Sequence, residues 1–192
     1  MKNDEIVVHE GKLFEKIEFK EKATVNRKFT DCTFKSCQLN MLSFIDCYFT
    51  DCVFDNCDLS LLKVKGCFFT RVQIIRCKAI GINWFDTGSP FSVQFIDSNI
   101  SYSSFFGKAI KKAKFKNCLA NETDFSDCNL SQADFGGTDL LNARFSNSDI
   151  SHVDFSGARN YHIDLQHNKV TKAKFSLPDA LSLLDPFDII IE

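Results

Sequence analysis

The chain has 192 residues, 44% of them hydrophobic and 25% charged, with a formal net charge of −2 at pH 7. This is enough apolar material for one domain with its own core, and a charge so near neutral excludes any argument from global charge for a nucleic-acid or membrane partner. Nine cysteines, an odd number, behind a polar start without a secretory apolar segment argue against a disulfide framework and export, and place the chain in the cytoplasm; no apolar run approaches the ~20 residues that cross a bilayer.

From Phe14 onward a large apolar residue returns at every fifth position, as in Phe29, Phe34, Leu39, Phe44, Phe49, Phe54, Leu59, Val64, Phe69 and Ile74. Five fits neither the helical period of 3.6 nor the strand period of 2, so the pattern predicts a short-period solenoid. Most of the 21 phenylalanines fill this one slot, so their abundance carries no information about a ligand.

All nine cysteines stand two residues before a central position: Cys32, Cys37, Cys47, Cys52, Cys57, Cys67, Cys77, Cys118 and Cys128. Their C-x4-C spacing, with no histidine in the cluster, lacks a close zinc knuckle, so they read as small packing residues, with no metal and no cofactor expected.

The phase holds to Trp84, faltering at Thr24 and Ala79, then shifts by one residue and resumes at Phe95, Ile100, Phe105, Ile110 and Phe115. Between the two blocks lies Asp86-Thr87-Gly88-Ser89-Pro90, whose Gly and Pro predict a bulged coil or short loop near 86–94. From Phe125 to Phe155 the period is unbroken, weakening at Asn160 before Leu165, Val170 and Phe175.

Thr123-Asp124-Phe125-Ser126-Asp127, Ala133-Asp134-Phe135-Gly136-Gly137 and Val153-Asp154-Phe155-Ser156-Gly157 resemble the pentapeptide-repeat pattern A(D/N)(L/F)xx. The resemblance implies an all-β fold over 1–177, a right-handed quadrilateral β-helix in which each pentapeptide forms one side and four complete a coil. Residues n and n+20 then stack about 4.8 Å apart. Cys37, Cys57 and Cys77 share one face and Cys32 and Cys52 another, as free thiols packed in parallel columns.

After Pro178 the pattern ends. Residues 178–192 read as a short amphipathic helix from Asp179 to Leu184 followed by an apolar tail. An open solenoid end needs a cap or a partner, so Leu181, Leu184, Phe187, Ile189 and Ile191 are the candidate contacts of a homodimer. The competing reading is a cap folded onto its own coil without dimerising.

Charge is uneven along the chain. Residues 121–165 hold eight acids against Arg144 and Arg159, a balance of −6, while residues 91–120 hold five lysines against Asp97, a balance of +4. Asp124, Asp134, Asp139, Asp149, Asp154 and Asp164 are therefore the candidate partner-binding surface. The same arithmetic also predicts mixed columns, with Arg144 between Asp124 and Asp164, and Lys114 and Lys174 flanking Asp134 and Asp154. Ordinary surface ion pairs and aspartates bonding their own turn backbone would account for such columns without any recognition role.

The five lysines lack an interleaved aromatic stacking surface, so direct nucleic-acid binding is not expected. The four histidines, His9, His152, His162 and His167, form no catalytic constellation, and an interior packed with Phe leaves no cavity, so no enzyme is expected.

Within the pentapeptide-repeat family the chain is similar to the topoisomerase-protection group, the Qnr-like quinolone-resistance proteins and the immunity factors of gyrase-poisoning peptide producers. The likeness rests on length, repeat count, the mid-chain break and the ending Leu-Leu-Asp-Pro-Phe-Asp-Ile-Ile-Ile. It implies a homodimer joined at its C-terminal ends, mimicking B-form DNA and binding a type II topoisomerase, DNA gyrase or topoisomerase IV. The chain departs from that group in its weak net charge, its compensated columns and an abbreviated loop at 86–94. The alternative function is a structural or scaffolding module binding another cytosolic protein, since one fold serves many uses.

Overall fold

A computed structural model describes residues 6–18, 22–187, 189 and 190. Each five-residue repeat is an extended tripeptide followed by a corner. The slot residue and the central residue point inward with one residue outward between them, which is the alternation of a strand. Two residues past the centre the chain turns with positive φ, as at Asp31 (52°), Ser36 (52°) and Asn117 (52°). Four such sides close a coil, and the coils stack in parallel.

The strands Leu13–Glu15, Thr33–Lys35 and Val53–Asp55 pair so that Phe14, Phe34 and Phe54 are register partners. On the adjacent side the strands Arg27–Thr30, Tyr48–Thr50 and Phe68–Ile75 align Phe29, Phe49 and Phe69. Past the break the register is one residue longer, pairing Ile74 with Phe95, with the irregularity between Phe91 and Val93 of the strand Phe91–Ile96.

The central aromatic rings form stacked ladders. Phe34 lies 4.6 Å from Phe54, Phe115 4.8 Å from Phe135 and Phe155 5.0 Å from Phe175, close to the spacing of adjacent strands. Rings on neighbouring sides meet edge to face, as Phe125 and Phe135 do at 5.3 Å. Trp84 fills the coil at the break, stacked on Phe105 and edge-on to Phe69, and its buried indole Nε1 has no hydrogen-bond partner among the described residues.

The cysteine slot has a chemical reason as well as a steric one. At many corners the carbonyl of the central residue is closed directly by the N–H three residues on, as in Leu62 to Leu59 and Ala133 to Leu130. Where the corner is open, the slot side chain of the next coil enters it. Cys57 Sγ donates to the Phe34 carbonyl and Cys67 Sγ to that of Phe44, while Ser148 Oγ donates to that of Phe125. A buried carbonyl left without a donor is costly, so these slots favour a small residue that also donates. All nine cysteines are buried free thiols. Burial pushes the thiols of Cys52 up to about 11 and of Cys118 and Cys128 up to about 12.

Near the C-terminal end the structure departs from the pattern. The period assigns Asn160 to the interior, but Tyr161 is the residue inside, packed on Phe155 and Phe175, and Asn160 turns outward to Asp139. An amide would be buried without partners there, whereas the phenol ring continues the aromatic ladder.

The terminal helix is a 3-10 helix, Asp179–Phe187, and runs past the expected end at Leu184. Leu183 is buried and Ala180 packs on the core, and Ser182 Oγ donates to the Tyr161 carbonyl at 2.8 Å, so this helix covers the last coil.

Candidate functional site

The six aspartates occupy the outward position just before a central residue. In each, Oδ1 accepts the backbone N–H two residues on, from Ser126 N–H onto Asp124 at 3.0 Å through to Gln166 N–H onto Asp164 at 2.7 Å. Asp58, Asn99 and Asn129 do the same elsewhere in the rod. These side chains hold the turn backbone.

The other carboxylate oxygen faces a basic group. Arg144 lies 3.3 Å from Asp124, Lys116 3.4 Å from Asp134 and Arg159 3.1 Å from Asp139. Lys169 lies 3.1 Å from Asp149, Lys174 3.8 Å from Asp154 and His167 2.6 Å from Asp164. The column Lys114, Asp134, Asp154, Lys174 is present in the backbone register, but the ammonium on Asp134 comes from Lys116, diagonally across the face.

Such exposed pairs are screened by solvent and add little stability. Hydrogen bonds from Ser156, with Lys174 and Lys116 nearby, hold the Asp154 carboxyl below its ordinary value. At Asp149 burial works the other way, and the bonds from Ser151 and Lys169 together outweigh it. The acidic segment is thus charged but locally compensated. Within it, Glu122 and Asp127 are the acids without an ion pair among the described residues.

At the capped end Leu181, Phe187 and Ile189 are exposed and Leu184 is half-buried. Leu177 and Ile190 are exposed as well, at 76% and 90%. Ile191 lies outside the described residues. His162 Nδ1 reaches Asp185 at 3.4 Å, a second tie between helix and rod.

The segment at the phase break is pinned down. Gly88 N–H donates to the Cys67 carbonyl at 2.8 Å, and Lys108 Nζ donates to the Thr87 carbonyl at 2.7 Å while lying 5.5 Å above the Phe91 ring. Gly88 rests on Phe68: a Cβ at 88 would stand 2.4 Å from the ring. Phe68 in turn stacks on Tyr48 at 5.0 Å, an aromatic pair on the outside of the rod. The sequence signal was present, since 48 and 68 differ by one coil, but the periodic pattern draws attention to the inward slots.

Residues 89–175 match the family described as pentapeptide repeat region. The chain carries a pentapeptide-repeat region. Its square coil, inward Phe and Leu, and Asp-held turns are the three-dimensional form of that repeat.

Among solved structures, a trypsin-treated variant of QnrB1, a plasmid-mediated fluoroquinolone resistance protein, superposes with a TM-score of 0.65 at 17% identity, covering 98% of this chain and 100% of that one. A second trypsin-treated QnrB1 variant gives a TM-score of 0.64 at 17% identity over 97% of this chain and 98% of that one. At this identity the likeness establishes the pentapeptide-repeat fold. No curated protein sequence matches the chain significantly. Among the described residues no helix is long and apolar enough to cross a membrane.

Proposed function

We propose that this pentapeptide-repeat chain is a non-enzymatic cytoplasmic protein that binds a type II topoisomerase, DNA gyrase or topoisomerase IV, and changes its response to inhibitors such as quinolones or peptide poisons. The observation that carries this reading is the end-to-end match of the whole rod to a fluoroquinolone resistance protein. The interior is filled, so any partner meets only the outer faces. The acidic residues 121–165 lie beside the capped end, and the exposed Leu181, Phe187 and Ile189 there fit a homodimer that would place two acidic segments at its middle as a mimic of duplex DNA. In this reading Asp124, Asp134, Asp139, Asp149, Asp154 and Asp164 contact the enzyme.

A supercoiling assay with purified gyrase, with and without a fluoroquinolone, tests it. Added protein is expected to inhibit supercoiling or to rescue it from the drug. No effect at saturating protein would leave a second reading standing, a scaffolding module for another cytosolic protein. The pairing of all six aspartates with Arg, Lys or His favours that second reading, because a compensated face is a weaker imitation of phosphate charge.

A further inference from the structure

Past the break, column partners lie 20 residues apart, so the segments 108–117, 128–137, 148–157 and 168–177 stack as one pair of adjacent sides. Ala109, Asn129, Asp149 and Lys169 form a column on the first side, and Lys114, Asp134, Asp154 and Lys174 form one on the second. Segments 118–127, 138–147 and 158–167 make the opposite pair. Coiling therefore sorts charge that is mixed along the chain. The first pair of sides holds eight lysines against three aspartates, a balance of +5, and the second holds five acids against Arg144 and Arg159, a balance of −3.

The positive charge gathers on the corner between the two basic sides. Its left-handed positions are taken by Lys112 (59°), Gln132 (64°), His152 (60°) and Lys172 (56°), all exposed. Lys111 and Lys114 flank Lys112 and are exposed as well. Asp134, Asp149 and Asp154 already face Lys116, Lys169 and Lys174, and Lys108 donates to the Thr87 carbonyl. Among the described residues this leaves Lys111, Lys112, Lys114 and Lys172 without an ion pair, and no unpaired acid on these two sides. The next coil toward the N-terminus adds only Asp97, at the far edge, where Asn117 Nδ2 donates to it at 3.0 Å.

We propose that this corner binds the phosphate backbone of duplex nucleic acid without reading its sequence. Protein interfaces gather aromatic residues at their core and are poor in Lys and Ser. Phosphate contacts are made by Lys, Ser, Thr and Gln, and the neutral neighbours of the four lysines are Ser131, Gln132 and Thr171. Among the described residues the one large exposed hydrophobic residue on these sides is Leu177, at their C-terminal edge. Single strands need rings on which their bases stack, and no exposed Phe, Tyr or Trp stands here; a duplex turns its phosphates outward and needs none. Lys112 and Lys172 are three coil steps, about 14 Å, apart, a length that faces about four phosphates of one strand at 3.4 Å each. The inference does not rest on the topoisomerase reading.

The test is fluorescence anisotropy with a labelled mixed-sequence duplex of about 20 base pairs, titrated with the full chain between about 50 and 200 mM salt. Wild type is compared with Lys112→Gln/Lys114→Gln/Lys172→Gln and with Lys63→Gln/Lys65→Gln/Lys78→Gln, which removes the same charge from exposed positions elsewhere on the rod. Gln132 already occupies the same left-handed corner, so the first variant keeps its fold, checked by its thermal midpoint. Wild type is expected to bind with a dissociation constant of about 1–100 µM, and log K to fall against log salt with a slope of about −3 to −4. The corner variant should bind at least tenfold more weakly at low salt, with a slope near about −1, and the control variant should stay within about threefold of wild type. No binding by wild type at low salt, equal losses in the two variants, or a single strand bound as tightly as the duplex would overturn the proposal. So would polyglutamate of equal charge bound as tightly as the duplex, because the corner would then suit an acidic protein.

Discussion

The backbone N–H of Cys37 donates to the thiol of Cys57, one coil away, at 3.4 Å. The same sulfur donates to the Phe34 carbonyl at 3.3 Å, so one side chain satisfies both buried polar groups of an open corner. Cys77 repeats the arrangement for Cys57 N–H and the Phe54 carbonyl.

Replacing Cys57 separates packing from hydrogen bonding. Cys57→Ala orphans two buried groups and is expected to cost about 1–3 kcal/mol in urea unfolding. Cys57→Ser keeps a donor and acceptor, as Ser98 does in the same column for Cys77 N–H and the Ile74 carbonyl, and should lose clearly less. Equal losses for the two variants would show that the slot is chosen for volume alone.

Phe135 is completely buried between Phe115 and Phe155, 4.8 and 5.2 Å away. Phe135→Ala should cost about 3–5 kcal/mol through the cavity it leaves. Its effect on any binding assay would come through loss of fold, which circular dichroism at the assay temperature would reveal.

Acid should weaken the rod in a defined window. Asp149 and Asp154 have native carboxyls held below the ordinary value of 3.8, so the unfolded chain takes up protons first. Their contribution is present above about pH 4 and is lost as pH falls through their native values. Urea midpoints from pH 7 to 2.5 should fall below about pH 4, and Asp154→Asn should flatten that fall. An unchanged slope would mean Asp154 is not linked to stability.

Asp134→Asn with Asp154→Asn removes charge while keeping the Oδ1 that accepts from Gly136 and Ser156. Folding should be nearly unchanged. If the acidic faces bind a topoisomerase, the affinity measured by surface plasmon resonance should drop, and the defect should shrink as salt rises. An unchanged affinity would remove this column from the proposed contact.

Truncation after Leu177 removes the buried Leu183 and the Ser182 bond to Tyr161, and so uncovers the last coil. If the cap is also the dimer contact, light scattering should show a dimer for the full chain and a monomer for the truncated one. Monomers in both cases would leave the helix as a cap alone.

Much of this architecture is written locally. A side chain of the right size every fifth residue, a small donor two places earlier and an Asp or Asn next to the centre are stereochemical requirements of one corner, repeated until they are legible. Once the coil length is known, stacking partners follow by counting, and the columns of Asp124 with Arg144 and of Asp134 with Asp154 could be read without coordinates. Packing decided the rest. Tyr161 displaced Asn160 from the interior because the ring could continue the ladder, and Lys116 rather than Lys114 reached Asp134 because side-chain reach crosses columns. Gly88 settled on Phe68, closing the loop against the rod. These outcomes depend on which atoms meet across coils, a relation that a one-dimensional period contains only where the repeat is perfect.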